Sequence, residues 1–299
     1  MNYNFNFSSK FRKANFLSLF LFILSILFIS FKGLNYGIDF KGGTLIELRA
    51  INTDTSSIRS ILNKMELGDV NLKKFGKEGD YLIKVELRND NKEIIPKIKK
   101  ILSNNLNTEI NFRRVENVGP KVSSELLESG IIAISLSLAA MLFYIWIRFE
   151  WQFSVGSIVA LFHDVVITLG IFSLLSLEIN LSIIAAVLTI VGYSMNDTVV
   201  IYDRIRENLN KYNKLNINEI SNLSINDTLS RTIITSVTTL LALLSIFILG
   251  GEILRGFSFA MILGVIIGTY SSIFVAAPML KYLKVTYKTL EKDEEKIVP

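Results

Sequence analysis

Thr189–Asn208 reads T-I-V-G-Y-S-M-N-D-T-V-V-I-Y-D-R-I-R-E-N, an apolar run interrupted by Asn196, Asp197 and Thr198. The run ends in a cluster of charges that begins at Asp203. An ionised carboxylate inside hydrocarbon costs several kcal/mol, so such residues in membrane helices are usually functional. The apolar residues on either side of this polar triplet give the Asp197 side chain no route to water. Asp197 is therefore our first candidate for a functional group.

Apolar runs of this kind recur along the 299-residue chain, in which 50% of the residues are hydrophobic. A helix needs about 20 predominantly apolar residues to cross a bilayer core of about 30 Å. Runs long enough to do so lie at about 14–31, 131–147, 153–175, 179–202, 232–249 and 257–280. The first run follows three basic residues but precedes no small-residue cleavage site, so we expect it to remain as a membrane span. The pattern predicts an α-helical polytopic membrane protein with six transmembrane helices.

The basic residues are distributed unevenly along this predicted topology. Lys and Arg number 32 and Asp and Glu 27, which gives a net charge of +5. With the N-terminus in the cytoplasm, the two short outer loops, near 176–178 and 250–256, contain a single basic residue, Arg255. Short cytoplasmic loops normally carry the excess of Lys and Arg. We therefore interpret the charge as a topology signal and not as a nucleic-acid surface, with both termini and a charged tail at 284–299 in the cytoplasm.

The hydrophilic segment at about 33–130 is predicted to form an extracytoplasmic domain between the membrane segment at 1–32 and a five-helix bundle at 131–283. Alternating and helical apolar spacings predict elements at Gly43–Arg49 (strand), Thr53–Met65 (helix), Val70–Phe75 (strand), Tyr81–Leu87 (strand), Asn91–Leu102 (helix) and Glu109–Val115 (strand). A glycine-rich turn at Gly76–Gly79 separates the middle strands, and Pro96 is expected to kink the second helix or to lie in its first turn. The order β-α-β-β-α-β is that of an α+β ferredoxin-like domain.

Within the bundle, a cytoplasmic loop is expected at about 203–230, with an amphipathic stretch at about 216–230. The helices on either side of this loop each carry a stripe of small and polar residues. On the fifth helix, positions i, i+4, i+7 and i+11 hold Arg231, Thr235, Thr238 and Ala242. The stripe on the fourth consists of Ala185, Thr189, Gly192 and Asn196, with Tyr193 and Asp197 on its edge. The residues predicted to form a supporting polar path are Asn196, Thr198, Tyr193, Thr235 and Thr238.

At a rise of about 1.5 Å per residue, Asp197 and Arg231 are expected at similar depths in the inner half of the bilayer. One interpretation is a proton-carrying Asp197 whose proton affinity is set by Arg231 and by water between the stripes. The other is a static ion pair that locks two helices together. Removal of either partner of a buried pair is destabilising in both cases.

His163 and Asp164 lie in the middle of the third span. Side chains of adjacent helical residues point about 100° apart, so the two cannot face the same partner. They form either a secondary proton relay or a hydrogen-bonded structural pair.

The last span contains a small residue at every fourth position, namely Gly256, Ala260, Gly264, Gly268, Ser272 and Ala276. Such a ridge lets a second helix approach closely. The ridge is explained by static packing within the bundle, and a sliding interface in a moving transporter would need the same surface.

Several kinds of chemistry are excluded by composition. The chain has no Cys and one His, which leaves no disulfide, no thiolate metal site and little basis for a His-based zinc site or a Ser-His-Asp triad. The glycine-rich segment Gly37–Gly43 fits neither nucleotide-binding motif. We expect no metal and no cofactor.

Taken together, several motifs resemble those of the SecF family, the smaller membrane subunits of the bacterial SecDF protein-export complex. The motifs are G-I-D-F-K-G-G-T (Gly37–Thr44), V-G-P-K-V-S-S-E-L (Val118–Leu126), F-H-D-V (Phe162–Val165), V-G-Y-S-M-N-D-T-V-V-I-Y-D-R-I-R-E-N (Val191–Asn208), S-R-T-I-I-T-S-V-T-T-L (Ser230–Leu240), G-G-E-I-L-R-G-F (Gly250–Phe257) and G-T-Y-S-S-I-F-V-A-A-P (Gly268–Pro278). They occur in the family's order and cover nearly the whole chain.

The resemblance implies an RND-type half bundle in the bacterial inner membrane that pairs with SecD and works with the SecYEG channel, often together with YajC. It implies use of the proton-motive force to complete preprotein translocation after ATP-driven pushing. The family's essential carboxylate falls on Asp197, and its Arg falls on Arg231. An Asp pathway of this kind can carry protons or sodium ions.

Three alternatives belong to other functional classes. A passive assembly scaffold would tolerate Asp197→Asn as long as the complex forms. An intramembrane aspartyl protease would use Asp164 and Asp197, but the Met195-Asn196 sequence before Asp197 departs from the G-x-G-D motif of such enzymes. A small-molecule exporter is disfavoured, because six helices make only half of such a bundle.

Overall fold

The computed structural model describes residues 5–65, 67, 70–74, 77–85, 94–106, 108–212 and 214–294. Parts of the predicted elements at 75–76, 86–87 and 91–93, and the end of the tail at 295–299, lie outside the described residues. The described elements, in chain order, are α1 (Phe11–Lys32), β1 (Asn35–Tyr36), α2 (Ile38–Lys41), β2 (Gly43–Ala50), α3 (Thr55–Asn63), β3 (Val70–Lys74), β4 (Asp80–Val85), α4 (Ile94–Asn105), β5 (Ile110–Val118), α5 (Pro120–Arg148), α6 (Trp151–Leu174), β6 (Glu178–Ile179), α7 (Leu181–Lys211), α8 (Ile217–Leu249), α9 (Gly251–Ser271), α10 (Ala277–Tyr282) and α11 (Tyr287–Glu294).

Two compact units make up the chain. The helical unit consists of the residues up to Leu34, Ile134–Leu177 and the residues from Ser182 onward. The α/β unit consists of Asn35–Ala133 and the short segment Glu178–Leu181. The predicted domain at 33–130 did not include this second segment, which comes from the connection between α6 and α7.

The helical unit contains six helices long and apolar enough to cross a membrane, which confirms the predicted number of spans in the described chain. They are Ser8–Lys32, Lys121–Arg148, Trp151–Leu174, Leu181–Lys211, Ile217–Leu249 and Leu254–Tyr282. The last span combines α9 and α10 through a π-helical segment, Ser272–Ala276. Pro278 follows this segment; it lacks the N–H that would bond to the carbonyl four residues earlier, and a π-helical turn is one way to accommodate the gap.

The connection predicted as a loop at about 203–230 is mostly helical. Helix α7 continues to Lys211 and α8 begins at Ile217, where Asn216 and Glu219 form a reciprocal capping box. Side chains join the two extensions, since Arg204 Nε donates to Asp227 Oδ2 at 2.8 Å. Hydropathy falls at Asp203 because the helices leave the apolar region there, although the helical backbone continues.

The α/β unit has a four-stranded antiparallel sheet in the order β3-β4-β2-β5. With α3 and α4 between the strands along the chain, this is the predicted ferredoxin-like arrangement. The core of the unit is fully buried and is formed by Ile46, Leu48, Ile58, Leu62, Ile83, Ile98 and Leu102. Pro96 lies in the first turn of the described part of α4, where its missing N–H costs no helical hydrogen bond.

A two-residue parallel pairing was not predicted. Strand β1 pairs with β6, with Asn35 opposite Glu178 and Tyr36 opposite Ile179. Strands of this length have no readable period, so neither could be recognised in the sequence.

Candidate functional site

Asp197 lies on α7 and its side chain is turned into the helical unit, with 3% of its surface exposed. Its Oδ2 has no hydrogen-bond partner among the residues that the structure describes. Arg231, on α8, is exposed and is close enough to interact electrostatically with this carboxylate. No direct ion pair joins the two side chains within the described ranges. The arrangement is thus looser than the static ion pair considered above.

Both polar stripes lie largely on the exposed surface of this chain. Most of their residues are exposed, including Thr189, Gly192 and Asn196 on α7 and Thr238 on α8. The threonine hydroxyls donate to carbonyls of their own helices, as Thr189 does to Ala185 at 2.8 Å. These stripes therefore present their small and hydroxyl-bearing surfaces outward.

Besides the contacts between the helical extensions, one hydrogen bond connects the two helices at the level of the stripes. Tyr193 Oη donates to the carbonyl oxygen of Thr235 at 3.3 Å, close to the level of Asp197 on α7. Thr198 points the other way: it is fully buried, and its hydroxyl is 2.8 Å from that of Ser272 in the π-helical segment. The predicted polar path therefore divides, with Tyr193 and Thr235 on one side and Thr198 in the core.

Asp164 is the centre of a second polar site, fully buried in the helical unit. Its Oδ2 accepts hydrogen bonds from Ser194 at 2.5 Å and from Ser271 at 2.7 Å. Its Oδ1 is 2.8 Å from Nδ1 of His163. The carboxylate thus connects α6, α7 and α9, and charge-assisted bonds of this kind are about twice as strong as neutral ones.

His163 is buried beside this carboxylate. Its ring stacks on Phe22 of α1, with centroids 6.5 Å apart. Its Nε2 has no hydrogen-bond partner in the described chain. His163 and Asp164 therefore bond to each other, although the helical geometry turns them in different directions. Ser194 and Ser271 were missed by the sequence analysis, since a serine in a membrane helix gives no indication of its partner.

The small-residue ridge of the last span faces α7. A Cβ atom added at Gly264 would lie 2.3 Å from Cγ1 of Ile190, and one at Gly268 would lie 3.1 Å from Cβ of Ser194. At Gly256 the nearest atom is Cδ1 of Ile183, at 3.4 Å. The glycines thus allow α9 to approach α7 along the part of the helix that leads to Ser194.

The two intramembrane aspartates occupy separate environments. The Asp164 carboxylate accepts hydrogen bonds from Ser194 and Ser271 and shares a third with His163, and none joins it to Asp197 within the described residues. No group of three or more Asp, Glu and His side chains in the described chain could hold a metal ion. The geometry gives no support to an aspartyl-protease pair.

Comparison with known proteins places the chain in a family. A family model described as protein export membrane protein SecD/SecF, C-terminal, matches residues 97–286, and a SecD/SecF GG motif matches residues 27–50. The protein translocase subunit SecF of Rickettsia bellii is 49% identical over 90% of this chain and 90% of its own length. The chain belongs to the SecD/SecF family. SecF of Rickettsia rickettsii is similarly close, with 48% identity over 90% of this chain and 89% of its own.

Solved structures agree with this assignment. The crystal structure of SecDF from Thermus thermophilus matches with a TM-score of 0.86 and 38% identity over 95% of this chain. A second SecDF structure, described as a super-membrane-facing form, matches with a TM-score of 0.72 and 36% identity. The present chain spans 39% of the first SecDF chain and 40% of the second.

Proposed function

We propose that this protein translocase subunit pairs with SecD in the bacterial cytoplasmic membrane and uses the proton-motive force to complete preprotein translocation through SecYEG. YajC is a further expected partner. The membership of the SecD/SecF family and the likeness to SecDF support the pairing. In this arrangement both termini are cytoplasmic and the α/β domain lies outside, as the distribution of Lys and Arg favours.

The observation that carries the proposal is the buried Asp197 carboxylate with an oxygen that lacks a partner. A buried carboxylate without hydrogen bonds is costly in its ionised form, and protonation removes that cost. Arg231 interacts with it electrostatically without holding it in a direct ion pair. A carboxylate in these surroundings can gain and lose a proton without breaking a hydrogen-bond network.

The exposure of the helices favours a membrane partner. The most apolar windows of the spans containing α1, α5 and α8 are only 11%, 11% and 17% buried, against 50–56% for those containing α6, α7 and α9. Polar stripes on the lipid-facing surface of a membrane helix are unfavourable unless another helix covers them. A second half bundle, such as that of SecD, would cover the stripes and enclose a path past Asp197.

A proton that crosses the membrane can supply free energy for a change in helix arrangement. One proton crossing the membrane yields about 2.3 kcal/mol per 100 mV. Protonation of Asp197 from the outside weakens its attraction to Arg231 and favours another arrangement of α7 and α8, and release to the cytoplasm restores the first. A ligand shifts such an equilibrium only by its differential affinity for the two states. Here the proton is the ligand.

The test is preprotein transport in vesicles that contain this chain, SecD and SecYEG, with and without a proton gradient. Asp197→Asn should assemble normally, keep ATP-driven transport and lose the gradient-driven part. Asp203→Asn is the matched control, because Asp203 lies on the same helix but is exposed and paired with Arg148 at 2.9 Å. The control should transport as the wild type does.

The passive-scaffold alternative gives the opposite result. If Asp197→Asn assembles and its gradient-driven transport equals that of Asp203→Asn, the chain does not couple proton flow through Asp197. A sodium gradient in place of the proton gradient identifies the coupling ion in the same vesicles.

A further inference from the structure

The connection between α6 and α7 is part of the α/β unit. Its residues Glu178–Leu181 belong to that unit, and β6 pairs in parallel with β1. The N–H of Gly37 also donates to the carbonyl of Ile179 at 2.8 Å. The domain therefore holds, by backbone pairing, the segment from which α7 starts.

Three side chains of the α/β unit reinforce this attachment. Asp39 Oδ2 accepts the N–H of Leu181, the first residue of α7, at 2.9 Å. Lys84, on the central strand β4, forms an ion pair with Glu178. The N–H groups of the first helical turn have no partner within the helix, so Asp39 satisfies a donor that would otherwise lack one. We call Asp39, Lys84 and Glu178 the clasp.

A buried charge needs a partner of opposite charge nearby. The charges of the clasp matter for this reason, because Lys84 is largely buried, with 18% of its side chain exposed. Burial lowers the pKa of Lys84 to about 8, Lys73 adds to this effect, and Asp39 opposes it. The ion pair places the Glu178 carboxylate directly against this ammonium group. Replacement of Glu178 by a neutral or basic residue would leave a buried ammonium without its nearest partner, which is strongly destabilising for the contact.

Helix α7 runs without interruption from Leu181 to Lys211 and carries Asp197. At about 1.5 Å per residue, Asp197 lies about 24 Å along the helix from the clasp. The chain enters the α/β unit from α1 and leaves it into α5, and the segment Glu178–Leu181, which joins α6 to α7 and is held by the clasp, is a third connection. Of these three, it is the one that leads directly to the helix that bears Asp197.

We propose that the clasp makes the α/β domain follow the movement of α7, so that Asp39, Lys84 and Glu178 are positioning residues for the gradient-driven step. This inference rests on the proposed function, because it takes Asp197 as the group that moves α7. The movement would then reach the α/β domain through α7, the uninterrupted helix that carries Asp197, and not through α1 and α5 alone.

The first experiment exchanges the charges of the clasp. Lys84→Glu and Glu178→Lys are made singly and together in the complex with SecD and SecYEG, with Lys77→Glu, an exposed residue of the same domain, as control. Each single variant should keep assembly and ATP-driven transport, while gradient-driven transport falls about tenfold, within the range typical of coupled sites. The double variant should recover most of the loss, because it restores an ion pair.

A second variant opens the clasp without changing any charge. A Cβ atom at Gly37 would lie 2.6 Å from Oε1 of Glu178, so Gly37→Ala displaces that flexible carboxylate. Its gradient-driven transport should fall as in the single charge variants. In the same complexes, amide hydrogen exchange in β4 and β6 should differ between wild type and Asp197→Asn, and this difference should vanish once the clasp is broken.

The outcomes separate the two proposals. Normal gradient-driven transport in both single charge variants overturns the clasp and leaves the role of Asp197 intact. A loss that neither the double variant recovers nor Gly37→Ala reproduces also overturns it, because the damage is then unrelated to the pair. Full gradient-driven transport by Asp197→Asn refutes the proposed function itself, and the clasp inference with it.

Discussion

Gly264→Ala is expected to destabilise the chain, although Ala is the better helix former. A Cβ atom at this position would lie 2.3 Å from Cγ1, 2.6 Å from Cδ1 and 2.9 Å from Cγ2 of Ile190. Carbon atoms in contact normally stand about 3.5–4.0 Å apart, so α9 and α7 must separate by about 1 Å or Ile190 must leave its rotamer. Overpacking of this kind costs about 1–3 kcal/mol.

Gly192→Ala is the matched control. Both glycines lie inside helices, so both substitutions gain about 0.4–1 kcal/mol by restricting the unfolded chain. A Cβ atom at Gly192 has no neighbour within 4 Å in this structure. The difference in unfolding free energy between the two variants is therefore the packing cost alone, about 1–3 kcal/mol.

The assay is reversible unfolding of the purified full chain in mixed micelles, followed by circular dichroism. Ile190→Ala removes all three atoms that the new methyl group would meet, so the pair Gly264→Ala with Ile190→Ala should lose less than the sum of the single changes. Ile190→Val retains two of those atoms and should rescue less. Equal stability of Gly264→Ala and Gly192→Ala would refute the close approach of α9 to α7.

Two further predictions concern stability. Asp164→Asn should lower the unfolding free energy by about 3–4.5 kcal/mol, because three bonds to a charged acceptor, worth about 1.5–3 kcal/mol each, become at best neutral bonds worth about 0.5–1.5 kcal/mol each. In the same micelle assay Ser271→Ala, which removes one of these bonds, should lose less stability, and the reverse order would contradict the account. Asn216→Ala should lower the unfolding free energy by about 1 kcal/mol, because it removes the cap of α8. The loss of the cap should be seen as faster amide exchange at Asn218 and Glu219. The control Asn210→Ala, on the exposed surface of α7, should leave the exchange at these two amides unchanged.

The predictable parts of the fold are the elements whose hydrophobic pattern is repeated over many residues. The six spans and the β-α-β-β-α-β order were predicted because hydropathy and alternation extend over many residues in each element. The helical link between α7 and α8 was not, since hydropathy falls at Asp203 whether a helix ends there or continues into water. Its helicity depends on the Asn216 cap and on pairs such as Arg204 with Asp227, which join residues far apart in sequence.

The site was predictable only in part, for a related reason. Asp197 stands out because it interrupts an apolar run, and that signal needs no knowledge of its neighbours. Asp164 gives the same kind of signal, but its role depends on Ser194 and Ser271, whose hydroxyl groups reach it from two other helices. The clasp was missed because its residues come from three separate segments of the chain, and because the β1–β6 pairing that brings Glu178 to the domain is only two residues long.

The two intramembrane aspartates differ in how completely their oxygens are satisfied, and this difference bears on their roles. The Asp164 carboxylate is bonded to Ser194, Ser271 and His163 at once, so a rearrangement of this side chain works against the packing of three helices. A proton that binds Oδ2 of Asp197 breaks no hydrogen bond, because this oxygen has no partner in the described chain. A carboxylate that must alternate between two charge states within a stable bundle is better placed at the second kind of position. The contrast supports Asp197 as the exchanging group and Asp164 as the anchor around which α6, α7 and α9 pack.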